Sequence, residues 1–117
     1  METYTMHLDK EPFEKMKAGK KTIEVRLYDD KRRKIKPGDE IVFLKLPDND
    51  ESIKARVIEI FVFDSFAKMF EAIGPEQFGH DKSLTVEQRV NMQRKYYTEE
   101  EEKRYGVVAI KIKTVQN

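Results

Sequence analysis

The sequence GKKTIEVR, residues 19–26, combines the pattern of a β-strand with a high density of charge. Its aliphatic residues Ile23 and Val25 alternate with Glu24 and Arg26, and this period of two is typical of a half-buried strand. Alternate side chains of a strand project from one face about 7 Å apart, so the two charged groups share a face. We therefore expect one face to pack into a core and the other face to line a polar surface or site.

The rest of the chain predicts further strands and helices around this segment. Strands are expected where aliphatic residues alternate, at residues 3–8, 40–46, 52–63 and 106–115. Amphipathic spacing and capping residues predict helices at residues 11–19, 65–73 and 86–97, and a short acidic turn after Thr98. In the longest strand the alternation changes phase near Val57, which predicts a β-bulge or a sharp bend.

The length and composition favour one small domain over residues 1–117. The chain has 117 residues, no internal repeat and no Pro/Gly-rich linker that would separate two units. Hydrophobic residues make up 38% of it, which is enough for one modest core. Strands and helices do not alternate regularly, which argues against a parallel doubly wound sheet. We expect an α+β fold, a small mixed β-barrel of about five strands with two to three helices packed against it.

Charge is unevenly distributed along the chain. The whole sequence has a formal net charge of +1, which excludes an overall polycation. Residues 19–36, however, hold eight Lys or Arg against three Asp or Glu. This segment either forms a basic cleft that attracts phosphates, or consists of surface ion pairs, worth at most about 1 kcal/mol each, and a solvated loop.

The signature of the charged strand resembles that of a known family. GKKTIEVR resembles the G-x-K-x-x-E-x-R motif of ASCH domains, which are small relatives of the PUA fold. The preceding amphipathic helix, the later segment KPGDEIVF and the final strand VVAIKI follow in the order expected of that family. The resemblance implies a PUA-like β-barrel with a cleft between barrel and helices, lined by the signature strand. It also implies binding of RNA or processing of modified nucleosides.

The charge pattern, taken with the cleft that the resemblance implies, predicts binding roles for the strand and for the loop after it. Cations of the strand would hold a phosphate or the polar edge of a base, and cations of the loop would reach backbone phosphates. Glu24 would order Arg26 and contact an exocyclic amine, and Tyr28 would stack on a base. The expected site residues are Lys20, Lys21, Glu24, Arg26, Tyr28, Arg32 and Arg33.

A catalytic alternative follows from one branch of the same family. That branch hydrolyses N4-acetylcytidine with a Lys, a Thr two residues before the signature Arg, and a later Glu. Lys21 matches the lysine, Glu24 stands in place of the threonine, and Glu76 or Asp81 would supply the later acid. A carboxylate cannot replace a neutral hydroxyl nucleophile, but it can hold a water as a general base. The alternatives are thus an amidohydrolase that uses Lys21 and Glu24, or a ribonuclease at the same cleft.

Other residue types narrow the classes of site. The chain has no Cys, and its two histidines, His7 and His80, are far apart in sequence, so we expect no metal. It contains no phosphate-binding loop and no dinucleotide-binding glycine pattern, so we expect no cofactor. His7 is a candidate base or phosphate contact, and His80 is a candidate loop residue over the cleft. Tyr96 and Tyr97 are interpreted as packing residues.

The first residues and the hydropathy pattern favour a cytoplasmic protein without a membrane partner. The N-terminal sequence has no apolar signal core, and no run approaches the roughly 18 apolar residues of a membrane helix. The absence of Cys is compatible with a reducing compartment. The expected partner is RNA or a modified nucleoside.

Overall fold

The computed structural model describes residues 1–115, so the last two residues of the predicted domain lie outside the described part. The strands are β1 (Thr3–Leu8), β2 (Ile23–Leu27), β3 (Glu40–Lys45), β4 (Ser52–Phe63) and β5 (Val107–Thr114). The helices are α1 (Lys10–Lys17), α2 (Phe66–Ala72), α3 (Val86–Gln93) and α4 (Glu99–Tyr105). Two 3₁₀ turns lie at Arg32–Lys34 and Glu76–Phe78.

The five strands form one curled sheet, a half-barrel, with the order β1-β3-β4-β5-β2. β1 pairs with β3 in parallel, and every other neighbouring pair is antiparallel. The predicted α+β fold with five strands and packed helices is confirmed. Within residues 1–115 four α-helices pack against the sheet instead of two to three, because the acidic segment after Thr98 forms a helix with its own capping box.

The predicted irregularity in β4 is confirmed at the residue after Val57. Val57 pairs with Ile112 and Glu59 with Lys111, so Ile58 is an extra residue in the ladder between β4 and β5. Before this bulge β4 pairs mainly with β3, and after it β4 continues alongside β5. The bulge therefore turns the strand from one half of the sheet to the other and allows the half-barrel to curl.

β5 separates two hydrophobic cores because both of its faces are buried. Val108 and Ile110 belong to the core beneath α1, whereas Val107 and Ala109 belong to the core beneath α2. The aliphatic face of β2 also packs into the second core, as its alternation predicts. The spacing in α2 is confirmed as a core face, with Phe66, Met69, Phe70 and Ile73 packed in the second core.

Helix α3 ends earlier than the sequence suggests. Thr85 and Gln88 form the predicted capping box, but the helix stops at Gln93 and not at residue 97. The amide groups of Tyr96 and Tyr97 both donate to the carbonyl oxygen of Gln93, which makes a tight turn after the helix. This turn brings the two tyrosines back towards the open edges of the sheet.

Glu102 in α4 is buried, although the acidic run around it is expected to form a solvated face. Its carboxylate accepts a hydrogen bond from the Phe66 amide over 2.7 Å, at the start of α2, and pairs with Arg94 over 2.6 Å. One carboxylate therefore joins α2, α4 and the segment after α3. Sequence alone does not distinguish this member of the run from its exposed neighbours.

We predict that Glu102→Ala lowers the free energy of unfolding by about 3 kcal/mol, because it leaves a buried amide and a half-buried guanidinium without their acceptor. Urea denaturation followed by circular dichroism measures the change. Glu100→Ala is the matched control, since Glu100 is exposed in the same helix, and its effect should stay within about 0.5 kcal/mol. Equal effects of the two substitutions would contradict the structural role of Glu102.

Candidate functional site

A cavity of about 530 Å³ lies beside the two open edges of the sheet. Its walls come from the end of β1 and the start of α1, from β2, from the loop after the second 3₁₀ turn, and from the end of α3 with the turn that follows it. This volume is within the roughly 300–1,000 Å³ of small-molecule sites in proteins. The lining includes three residues of the sequence signature, Lys21, Glu24 and Arg26.

These three side chains form a continuous ion-pair network. The Lys21 Nζ lies 3.1 Å from the Glu24 Oε1, and the Arg26 Nε lies 2.7 Å from the Glu24 Oε2. The side chains of Lys21 and Glu24 are each 7% exposed, and that of Arg26 is 13% exposed. Lys21 also donates to the carbonyl oxygen of Ile23 over 2.8 Å. Both carboxylate oxygens of Glu24 are therefore held between fixed cations.

Arg26 also connects the two edge strands. Its Nη2 donates to the carbonyl oxygen of His7 over 2.8 Å. Arg26 belongs to β2 and His7 to β1, and these strands are the two ends of the sheet order. A side chain thus spans the gap where a closed barrel would have a backbone ladder, and it orders the wall of the cavity.

The network stays ionised because the attraction between its opposite charges outweighs the cost of removing them from water. Burial alone would raise the pKa of Glu24, but the charges of Lys21 and Arg26 outweigh it, and the pKa lies below its ordinary value. Burial alone would lower the pKa of Arg26, but the Glu24 carboxylate outweighs it and the pKa is raised. Glu24 is consequently a carboxylate at neutral pH and a hydrogen-bond acceptor.

The loop after the second 3₁₀ turn rests directly on the lysines of the site. The Lys15 Nζ, from α1, donates to the carbonyl oxygen of Gly79 over 2.8 Å. Gly79 has a φ of +75°, and a Cβ there would lie 3.3 Å from the Cβ of Lys21. Glycine thus permits both the left-handed turn and the close approach of this loop to β2.

Aromatic rings form the other walls of the cavity. The imidazole of His80 is stacked on the ring of Phe78 with centroids 5.5 Å apart. Tyr97 packs against Phe66 at 5.9 Å, while Tyr96 is 51% exposed and donates a hydrogen bond from its hydroxyl to Asp9 at the start of α1. Both tyrosines line the cavity as well as packing. The sequence interpretation of them as packing residues is therefore incomplete.

His80 is held neutral by its surroundings. Burial, followed by the positive charges of Arg89, Lys21 and Lys15, lowers the pKa of His80 to about 4. Arg89 is 2% exposed and donates from its Nε to the Nδ1 of His80 over 3.1 Å. Its two Nη groups donate to carbonyl oxygens at the C-terminal end of α2. The histidine is thus anchored to a buried arginine below the cavity.

The match of residues 6–116 to the family model of the ASCH domain decides the classification. The chain belongs to the ASCH domain family. The family resemblance carried by the signature strand is therefore confirmed, over nearly the whole chain and with an RNA-binding-like fold.

This ASCH domain is also similar to two solved structures. The crystal structure of hypothetical protein PH0355 is 44% identical, with a TM-score of 0.83, over 97% of this chain and 99% of that chain. The solution NMR structure of protein PF0455 from Pyrococcus furiosus is 43% identical, with a TM-score of 0.76, over 100% of both chains. No curated protein matches the chain.

The remaining predicted binding residues of the ASCH domain lie outside the lining of the cavity. Lys20 is exposed, Arg32 pairs with Asp29 over 2.8 Å, and the guanidinium of Arg33 lies 4.4 Å from the centre of the Tyr28 ring. The basic loop therefore forms a surface of its own, apart from the cavity. Contacts of these residues with RNA stay a prediction.

The two candidates for a later acid, Glu76 and Asp81, are both exposed and do not line the cavity. Asp81 accepts hydrogen bonds from the amide and the hydroxyl of Ser83 within its own loop. The carboxylates that do line the cavity belong to Asp9, Glu11 and Glu24. A proton-transfer role for Glu76 or Asp81 would thus require a rearrangement of the loop.

Sequence reasoning missed Lys15 and Asp9 as members of the site. Both come from the region around α1, and their approach to β2 depends on how this helix packs on the sheet. No local pattern in residues 9–15 carries that information. Among residues 1–115, no group of three or more acidic or histidine side chains is arranged to hold a metal ion. No helix in the described part of the chain is long and apolar enough to cross a membrane.

We predict that Glu24→Gln lowers the free energy of unfolding by about 3–5 kcal/mol, because it leaves two buried cations without their shared carboxylate. The matched control is Asp29→Asn, the same chemical change in a more exposed pair with Arg32, and its effect should be at most about 1 kcal/mol. Urea denaturation of both variants gives the comparison. A cost for Glu24→Gln no larger than that of Asp29→Asn would contradict the buried network.

We predict a pH dependence of stability that belongs to His80. Its pKa is about 4 in the folded protein and has an ordinary value of 6.5. Between these values His80 is protonated in the unfolded chain and neutral in the folded protein. The contribution of His80 to stability is therefore complete above pH 6.5 and is lost as the pH falls towards 4. From pH 7 to pH 5 the wild type should lose about 2 kcal/mol more than His80→Gln. Urea denaturation at both pH values tests this, and equal losses would refute it.

Proposed function

We propose that this ASCH domain binds a single nucleoside in the cavity, either free or as an unstacked nucleotide of RNA. The observation that carries the proposal is the buried Lys21–Glu24–Arg26 network on the wall of a cavity of about 530 Å³. A pocket of this size with few fixed polar groups suits a small ligand that is recognised by hydrogen bonds.

The network supplies both donors and an acceptor for the edge of a base. The contacts within the protein use two of the three N–H groups of Lys21, and they leave the Nη1 of Arg26 for a ligand. The Glu24 carboxylate keeps further lone pairs for a donor on the base. Because ion pairs fix all three side chains, little conformational entropy is lost when a ligand binds.

The charge of the cavity favours a base over a chain of phosphates. The charged groups of the lining nearly balance: Lys15, Lys21, Arg26 and Lys95 against Asp9, Glu11 and Glu24. RNA phosphates would instead meet cations outside the cavity, which are Lys20 before the start of β2 and Arg32 and Arg33 after its end. Arg33 covers the ring of Tyr28, so stacking of a base on Tyr28 would require the guanidinium to move aside.

The aromatic walls are suited to the flat faces of a nucleobase. Tyr96 and Tyr97 present ring surfaces to the cavity. Stacking of a base on an aromatic side chain contributes about 1–3 kcal/mol and tolerates any base. Stacking would thus supply affinity, and the ion-pair network would supply selectivity.

Binding is favoured over hydrolysis by the state of Glu24. Its pKa is lowered by two cations, and both its oxygens are engaged, so it is a weak general base. Glu76 and Asp81 lie outside the cavity. Cleavage of an acylated cytidine with Lys21 and Glu24, or of RNA at the same site, is therefore the alternative outcome of the test.

We predict that Lys21→Gln weakens nucleoside binding at least tenfold, because it removes a charged hydrogen bond worth about 1.5–3 kcal/mol. Isothermal titration calorimetry with uridine, cytidine, adenosine and N4-acetylcytidine measures the affinities. Lys20→Gln is the matched control, since Lys20 is the exposed neighbour outside the cavity, and it should bind as the wild type does. Circular dichroism confirms that both variants are folded.

The alternatives give different results in the same preparations. Failure of every nucleoside and of single-stranded RNA to bind the wild type would refute the proposal. Release of cytidine from N4-acetylcytidine by the wild type, lost in Lys21→Gln, would establish the amidohydrolase instead. Nucleoside affinity should change little between about 50 and 200 mM salt, whereas binding through many RNA phosphates would weaken steeply over that range.

A further inference from the structure

The contact between Arg89 and His80 determines which nitrogen of the imidazole carries a proton. A guanidinium can only donate hydrogen bonds, so the Nδ1 of His80, which lies 3.1 Å from the Arg89 Nε, must accept. A ring that accepts at Nδ1 is neutral, and its proton is on Nε2. The depressed pKa of His80, about 4, agrees with this assignment. His80 therefore has one fixed donor, the Nε2–H group.

The surroundings direct that donor away from Arg89. The two nitrogens lie on diverging sides of the ring, and Arg89 is buried and is not part of the cavity lining, whereas His80 is. The ring is held flat on Phe78 and edge-on to Phe70, with centroids 5.5 Å and 5.6 Å apart. Nε2–H is the polar group that this side chain has left for a ligand in the cavity.

The backbone around His80 is also anchored. Its amide donates to the carbonyl oxygen of Pro75 over 3.0 Å, and the preceding carbonyl, of Gly79, accepts from Lys15. The loop is held against β2 by a further hydrogen bond, from the amide of Thr22 to the carbonyl of Gln77 over 2.8 Å. The donor is thus placed before any ligand arrives, and binding requires no ordering of the loop.

We propose that His80 is a specificity-determining residue whose Nε2–H donates to a carbonyl oxygen of the bound base. This inference rests on the proposed function and names the class of base. With the free N–H of Lys21 and the Nη1 of Arg26, the cavity presents three donor groups to a ligand. Of the three carboxylates in the lining, Asp9 accepts hydrogen bonds from Tyr96 and Lys95 and Glu11 pairs with Lys15, so Glu24 is the acceptor that lies beside these donors. The cavity is therefore selective for oxo-bearing bases such as uracil, which has two carbonyl oxygens and one N–H, over amino-bearing bases such as adenine.

Two substitutions of His80 separate the role of Nε2–H as a donor to the ligand from the role of Nδ1 as the acceptor for Arg89. In His80→Asn the amide oxygen takes the place of Nδ1 and still accepts from Arg89, but no group occupies the position of Nε2. In His80→Gln the amide nitrogen takes the place of Nε2 and still donates, but the acceptor for Arg89 is lost. A purely structural histidine and a ligand-binding histidine therefore respond to this pair in opposite ways.

We predict that His80→Asn weakens uridine binding about three- to tenfold while its melting temperature stays near that of the wild type. His80→Gln should keep uridine affinity within about twofold and melt at a lower temperature, since a buried guanidinium loses its partner. The ratio of uridine to adenosine affinity should fall in His80→Asn, a change that loss of packing alone would not produce. Calorimetry and thermal denaturation provide these readouts.

The outcomes distinguish failure of the proposed role of His80 from failure of the proposed nucleoside binding. If uridine binds, and binding is sensitive to Lys21→Gln but not to His80→Asn, the role of His80 is refuted and the proposed function stands. If neither a nucleoside nor single-stranded RNA binds the wild type, both are refuted; if only RNA binds, the same substitutions are compared with oligouridylate and oligoadenylate. ¹⁵N NMR of the wild type at pH 7 is an independent check, because a proton on Nδ1 would also overturn the assignment.

Discussion

The contacts of Arg26 are the constraint on which both the fold and the site depend. β1 and β2 are the two ends of the sheet, and the guanidinium of Arg26 joins them through the carbonyl oxygen of His7. The same guanidinium is held by Glu24, which in turn holds Lys21. Closure of the half-barrel and order in the cavity wall thus come from one group of buried charges. Such a group is costly to desolvate, and its retention is explained more readily by a site than by stability.

The sequence was sufficient where the determining interactions are local. The period of two in β2 placed Glu24 and Arg26 on one face, and the phase change near Val57 located the bulge. Capping boxes gave the starts of α3 and α4 for the same reason, since their hydrogen bonds span three residues. His80 is named from the sequence as a loop residue over the cleft, but Lys15 and Asp9 enter the site through packing between elements far apart in sequence, and no periodicity encodes such contacts. The burial of Glu102 escaped prediction for this reason as well.

The basic segment, residues 19–36, shows that charged residues adjacent in sequence can be placed in different environments by folding. Summed along the sequence, residues 19–36 suggest one positive cleft. In the fold the cations of β2 are buried against Glu24, while Arg32 pairs with Asp29 and Arg33 covers Tyr28. Much of this positive charge is therefore already engaged by neighbouring groups of the protein, Glu24, Asp29 and the ring of Tyr28, before any ligand is present. What remains is a nearly balanced cavity beside a separate basic surface, and this division suits one base inside and a phosphate chain outside.

Two titratable groups in the lining of the cavity, Glu24 and His80, are each held in one protonation state at neutral pH. Glu24 is held ionised by two cations, and His80 is held neutral by burial and by Arg89. Efficient proton transfer requires a pKa near the working pH, whereas recognition requires donors and acceptors that do not change between binding events. A fixed acceptor at Glu24 and a fixed donor at His80 satisfy the second requirement. The electrostatics of the cavity therefore favour reading the edge of a base over breaking a bond in it.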